Sequence, residues 1–129
     1  MTVSSRHEAV RAEVRAGDRV TRYFRAGAGR VVLLLRPVAA AAEWAAAAAE
    51  LAARCRVIVP DIPEAPDFTA WLGDFLDGLG LESVTILADP ALGGAAREFA
   101  ALEPERVRLL AEVPPTQVGR ASFPNFPGA

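Results

Sequence analysis

The chain has 129 residues, of which 52% are apolar, and its formal net charge is −2. This composition is typical of one globular domain, excludes a disordered chain and gives no overall basic charge for binding a polyanion. No apolar run approaches the roughly 20 residues of a membrane-spanning helix, residues 1–7 lack the apolar segment of a secretory signal, and the single cysteine favours a cytoplasmic protein.

The first part of the chain predicts a hairpin, a buried strand and a helix. Residues 8–15 and 19–25 alternate apolar and charged side chains around a glycine turn, the pattern of two half-exposed strands. Residues 31–35 form a continuous apolar run, which is typical of a strand buried on both faces of a parallel sheet. Residues 39–54 are rich in alanine and predict a helix of high intrinsic propensity.

The remainder alternates short apolar runs with amphipathic segments. In order, it predicts a strand at 57–59, a helix at 67–79, a strand at 84–88, a helix at 90–103 and a strand at 107–113. Apolar residues in 67–79 recur at helical spacing, and in 90–103 we expect Leu92, Ala95, Phe99 and Leu102 to face inward. The segments 1–7 and 114–129 are predicted to be a flexible start and an irregular, proline-rich tail of a single domain.

This order predicts an α/β fold with a mostly parallel six-stranded sheet and helices on both of its faces. Ligands in such folds bind beyond the carboxyl ends of the strands. The segments to examine for function are therefore Arg36-Pro37, residues 61–66 and residues 89–92.

Several short segments, none of them specific alone, follow one another in a recognisable order and spacing: Gly27 to Gly29, Trp44, Arg56 to Pro63, Phe68 to Leu72, Leu79 to Val84, Leu92 to Gly94, and Phe99 to Val107. With these segments the chain, from about residue 13 to residue 113, resembles the N-terminal half of an α/β-hydrolase. The resemblance implies a three-layer fold that stops after the sixth strand, without the later strands that carry the acid and the histidine of the catalytic triad.

The catalytic positions depart from the family pattern. The family carries its nucleophile in a G-x-S-x-G turn, and aligning Gly93 with the last glycine places Ala91 at the serine. The family's His-Gly after the first parallel strand is Leu35-Arg36, and the only histidine is His7. Asp89 as nucleophile would put the glycines out of register. The resemblance therefore implies the fold with a vestigial nucleophile position.

Local chemistry suggests another role for the same turn. Asp89 followed by Pro90 is a typical helix start, in which the carboxylate caps a backbone N–H, and Gly93 and Gly94 indicate close helix–sheet packing. We expect Arg36 to reach toward Asp89 or Asp61. The candidate binding set is Arg36, Asp61, Asp89 and Leu92, and it is either an ion pair closing a disused site or a site for a small carboxylate or phosphate.

Other chemistry is sparse, and we predict no metal, cofactor, nucleic acid or membrane partner. Cys55 reads as a small buried hydrophobe, and the cluster Arg22 to Arg25 is weak evidence for nucleic-acid binding. Residues 1–36 carry eight arginines and three acids, whereas residues 37–129 carry six arginines and thirteen acids. The two parts either face each other, within the chain or across a dimer, or the first part forms an anion-binding face.

The strand at 107–113 would be an apolar edge, and such edges pair or become covered. We expect a homodimer through this strand or the adjacent helix and tail, and Phe123 and Phe126 are an alternative cover. The sequence thus predicts a non-catalytic structural or interaction module. The alternative is a small esterase-like hydrolase, or a small-anion-binding protein, that uses the pocket at the strand ends.

Overall fold

A computed structural model of the chain describes residues 9–63 and 67–118. It contains six strands and three helices, whose order agrees with the sequence pattern. The strands are β1 (Val10–Ala16), β2 (Arg19–Ala26), β3 (Val31–Leu35), β4 (Arg56–Pro60), β5 (Val84–Ala88) and β6 (Val107–Glu112), and the helices are α1 (Ala41–Ala52), α2 (Phe68–Leu79) and α3 (Gly93–Leu102).

All six strands form one sheet in the order β1-β2-β4-β3-β5-β6. The β1–β2 hairpin and the β2–β4 pair are antiparallel, and β4, β3, β5 and β6 run parallel. The chain moves from β3 outward to β4 and then returns to the other side of β3 with β5. The carboxyl ends of β3 and β5 therefore mark the topological switch point, where open α/β sheets place their ligands.

Helices cover both faces of this sheet, as predicted. Strand side chains alternate between the faces, so Leu33 and Leu35 pack on the α2 and α3 side, while Val32 and Leu34 pack on the α1 side. No helix in the described part of the chain has the length and apolar composition needed to cross a bilayer.

The predicted helices form with small changes at their ends. Asp67 caps the start of α2, and Gly80, at φ 74°, ends it in the left-handed conformation that glycine adopts without strain. The helix predicted at 90–103 begins instead with a 3-10 turn, Pro90–Leu92, and only then continues as α3.

The prediction that Leu102 of α3 faces the core is wrong. Leu102 has 63% of its surface exposed, whereas Gly93, Ala96 and Phe99 are buried. Residues three apart drift by about 60° around a helix of 3.6 residues per turn. The stripe that faces the sheet at Gly93 has therefore turned away from it at Leu102.

Candidate functional site

The carboxyl ends of three adjacent parallel strands bring the predicted polar residues to one edge of the sheet. Arg36 follows β3, Asp61 follows β4, and Asp89 follows β5. Since β3 lies between the other two strands, Arg36 is placed between two carboxylates. Each of the three residues has a different environment.

Both carboxylate oxygens of Asp89 accept hydrogen bonds from the protein. One carboxylate oxygen accepts the backbone N–H of Ala91 at 2.8 Å, and the other accepts the indole N–H of Trp44 at 2.7 Å. The first bond agrees with the predicted cap. The bond to Trp44, which is buried in α1, was not predicted; the signal was an isolated tryptophan in an alanine helix.

The turn after Asp89 is a relaxed 3-10 turn. The N–H of Leu92 donates to the carbonyl of Asp89 at 2.8 Å, although this is the aligned position whose N–H would complete an oxyanion hole in the resembled family. Among the described residues only glycines have positive φ, so Ala91 lacks the strained backbone of a nucleophile turn. Leu92 packs toward the core on the α2 and α3 side.

Arg36 is buried, with 5% of its surface exposed. Its Nη2 atom lies 3.9 Å from a carboxylate oxygen of Asp61, which is close enough for attraction but too long for a hydrogen bond. Its Nη1 atom has no hydrogen-bond partner within the described ranges. Burial lowers the pKa of Arg36, and the Asp61 charge opposes that shift. Of the two predicted carboxylates, Arg36 thus approaches Asp61.

A cavity of about 390 Å³ lies beside Arg36, between α1 and the strands β2 and β4. Its walls are mostly apolar. They are formed by Ala9, Phe24, Arg25, Ala26, Leu34, Arg36, Trp44, Ala45, Ala48, Ala49, Val57 and Val59. The cavity was not predicted, because it arises where the short side chains of α1 meet residues distant in sequence. Arg36 links it to the predicted site.

Glu112, at the carboxyl end of β6, is a further charged residue at this edge that sequence reasoning missed. Its carboxylate pairs with Arg97 on α3 and occupies the space into which a Cβ at Gly93 would project. At Gly94 an added Cβ would meet only the Arg97 side chain, at 3.9 Å. Gly93 therefore accommodates a carboxylate, and close helix–sheet packing does not explain Gly94.

The remaining reactive groups have structural surroundings. Cys55 is buried, its thiol donates to the carbonyl of Leu51 at 3.2 Å, and burial raises its pKa against the smaller effect of Arg54. In residues 9–63 and 67–118, no three His, Cys, Asp or Glu side chains converge on a point that could hold a metal ion. His7 lies outside the described residues.

Comparison with known proteins identifies the fold of the chain but assigns it to no sequence family. No protein-family model and no curated protein matches this sequence. A mutant of an epoxide hydrolase from Vigna radiata matches with a TM-score of 0.72 and 21% identity, over 81% of this chain and 38% of that one. A carboxylesterase from Bacillus subtilis matches with a TM-score of 0.71 and 23% identity, over 84% and 44% of the two chains.

A serine hydrolase involved in carbazole degradation matches similarly, with a TM-score of 0.72, 24% identity, and coverage of 81% of this chain and 47% of that one. The chain thus spans less than half the length of each of these structures. Identities this low carry information about the backbone arrangement alone. On its strand order, its helix layers and these structural matches, the chain has the α/β-hydrolase fold.

Proposed function

We propose that this chain is a non-catalytic protein of α/β-hydrolase fold that acts by binding, as a structural or interaction module. One observation carries the proposal. The turn that would hold a nucleophile contains Ala91, and its backbone donors are already bonded to Asp89. A covalent mechanism needs an activated nucleophile and free oxyanion donors at the same place, and this turn offers neither.

The alternative is an esterase-like hydrolase, which is favoured by the matched structures, because these are named as hydrolases and esterases. Hydrolysis of p-nitrophenyl acetate, butyrate and octanoate tests it. We expect the wild-type rate to equal that of Ala91→Gly and of buffer alone. Turnover above buffer that is lost in Asp89→Asn or Arg36→Met would overturn the non-catalytic proposal.

We propose in addition that the module is a homodimer through β6. This strand is at an edge of the described sheet, and Leu109 on it is 37% exposed. An exposed apolar edge strand favours pairing with a second copy.

We also propose a cytoplasmic location, because the sequence contains a single cysteine.

Sedimentation equilibrium at micromolar concentrations tests the dimer. We expect twice the chain mass for the wild type and for Val10→Lys, which places the same charge on β1 at the opposite edge. Leu109→Lys should shift the mass toward the monomer. A monomeric wild type, or a Leu109→Lys variant that is as dimeric as the Val10→Lys control, would contradict the proposed interface.

A further inference from the structure

The cavity beside Arg36 combines apolar walls with a buried guanidinium, and it is the strongest candidate for a ligand site in the described part of the chain. We propose that it binds a monocarboxylate with an apolar body, whose carboxylate bonds to the Arg36 guanidinium and whose chain lies between α1 and the strands β2 and β4. The proposal goes beyond the non-catalytic role, since it concerns a cavity that Ala91 does not line and holds whether or not esters are cleaved.

The unsatisfied guanidinium is the first argument. Burying a charged group costs free energy unless it is paired and hydrogen-bonded, and buried polar atoms in folded proteins almost always have partners. Within the described ranges, Arg36 has only Asp61 at 3.9 Å, and that side chain is 42% exposed and therefore hydrated. The Nη1 atom has no acceptor there. This atom is also shielded from solvent, so a ligand carboxylate would reach it from the cavity after a rotation of the guanidinium.

The position of the guanidinium is the second argument. Leu34 and Arg36 are two residues apart at the end of one strand, so they share a sheet face, and both line the cavity. Asp61 stands in the same relation to Val59 on the adjacent strand. Arg36 is therefore at the end of the cavity nearest the carboxyl ends of the strands.

The walls decide the chemical class of the ligand. Apart from Arg36 they are built mainly from apolar side chains such as Phe24, Leu34, Val57 and Val59, which favour an apolar body. One guanidinium with a carboxylate nearby suits a single negative charge, and a carboxylate matches the fork of arginine in two parallel bonds. A doubly charged phosphate would lack a second buried cation and would be repelled more strongly by Asp61.

The volume limits the size of the ligand. An apolar cavity of about 150 Å³ holds one benzene molecule, so a cavity of about 390 Å³ admits ligands of up to about 16 non-hydrogen atoms by the same proportion. Octanoate is in that range. The guanidinium of Arg11 lies 5.2 Å from the centre of the Phe24 ring, which adds positive charge beside this wall.

Calorimetric titration with octanoate and with octanamide tests the proposal, because the two differ in charge and hardly in shape. We expect one octanoate per chain and at least tenfold weaker binding of octanamide. Arg36→Met should weaken octanoate binding by about 10- to 100-fold, the range for a lost charge-assisted hydrogen bond. The matched control Arg30→Met removes an exposed arginine outside the cavity and should bind as the wild type does.

Two further variants separate a ligand site from a structural ion pair. Asp61→Asn removes the competing carboxylate and should tighten octanoate binding, whereas Ala48→Leu narrows the cavity and should weaken octanoate and octanamide alike. Equal affinity for octanoate and octanamide, or unchanged octanoate binding in Arg36→Met, would overturn the proposal. Inorganic phosphate that binds more tightly than octanoate would overturn the ligand class. If Arg36→Met does not fold, the wild-type ligand pair and Ala48→Leu still decide.

Discussion

The two faces of the sheet are packed by different means. On the α2 and α3 side, large side chains fill most of the space and leave a smaller pocket of about 220 Å³ beside Tyr23 and Leu79. Trp71 stacks on Phe75 with 5.4 Å between ring centres, and Tyr23 meets Phe75 edge-on at 5.7 Å. On the α1 side, an alanine-rich helix is anchored by Trp44 and Leu51, both buried, and beside its remaining alanines lies the cavity of about 390 Å³.

Gly78 shows how closely α2 packs on the β1–β2 hairpin. A Cβ added at Gly78 would lie 2.5 Å from the carbonyl oxygen of Arg15 in β1, so α2 rests directly on the hairpin. On the α1 side some alanines pack closely on the sheet and others do not. The buried guanidinium of Arg36 lines the space that remains. The first face therefore contributes mainly stability, while the second retains room and charge for a ligand.

The largest expected effect is on the filled face. Phe75 is fully buried, and Phe75→Ala should lower the free energy of unfolding by about 3–5 kcal/mol, because it removes apolar contacts and leaves a cavity. Urea unfolding followed by circular dichroism measures this. Leu102→Ala, at an exposed position of α3, is the control and should change stability by less than about 0.5 kcal/mol. A cost for Phe75→Ala below that of the control would contradict the described packing.

Adding volume should have opposite effects on the two faces. Ala48→Leu extends a side chain into the cavity and should raise stability by up to about 1 kcal/mol, the value of roughly one buried methylene after some strain. Ala96→Leu makes the same change at a fully buried position of α3 and should cost about 1–3 kcal/mol. Thermal and urea unfolding of the pair provide the measurement. Equal effects of the two changes would mean that the faces are equally filled.

The two tryptophans allow a comparison of how well each face excludes water. The Trp71 indole donates to the hydroxyl of buried Thr21 at 3.0 Å, and the Trp44 indole donates to half-buried Asp89. Removing a donor from a buried acceptor costs about 1–3 kcal/mol. We expect Trp71→Phe to lose more unfolding free energy than Trp44→Phe, since water can replace the lost donor at Asp89. If Trp44→Phe lost more unfolding free energy in urea than Trp71→Phe, water would be excluded better from Asp89 than from Thr21.

The fold was predictable because it follows from local patterns. Continuous apolar runs mark the buried strands, the helical spacing of Phe68 to Leu79 marks α2, and handed crossovers leave few ways to order the strands. The cap at Asp89 was equally accessible, because its carboxylate bonds to a backbone N–H only two residues later.

The site was predictable only in part because its contacts join distant positions. Trp44 and Asp89 are 45 residues apart, and nothing near either residue specifies the other. Arg36 had two candidate carboxylates on the two neighbouring strands, and only side-chain directions separate them: Asp89 bonds to Trp44, and Arg36 approaches Asp61. The cavity depends on how far α1 stands from β2 and β4, which is a property of packed layers and is not encoded in any one segment.

The smallest expected effect concerns the cap of α2, where the filled face begins. The N–H of Ala70 and then the hydroxyl of Thr69 lower the pKa of the exposed Asp67 carboxyl below its usual 3.8. A lowered pKa means that the ionised cap stabilises the fold above about pH 3.8 and that this contribution is lost as the pH falls through the folded-state pKa. Asp67→Ala should lower the melting temperature at pH 7 by a few degrees. Asp67→Asn keeps a capping oxygen without the charge, so its difference from the wild type should shrink on acidification, and a difference that stays constant with pH would exclude the charged cap.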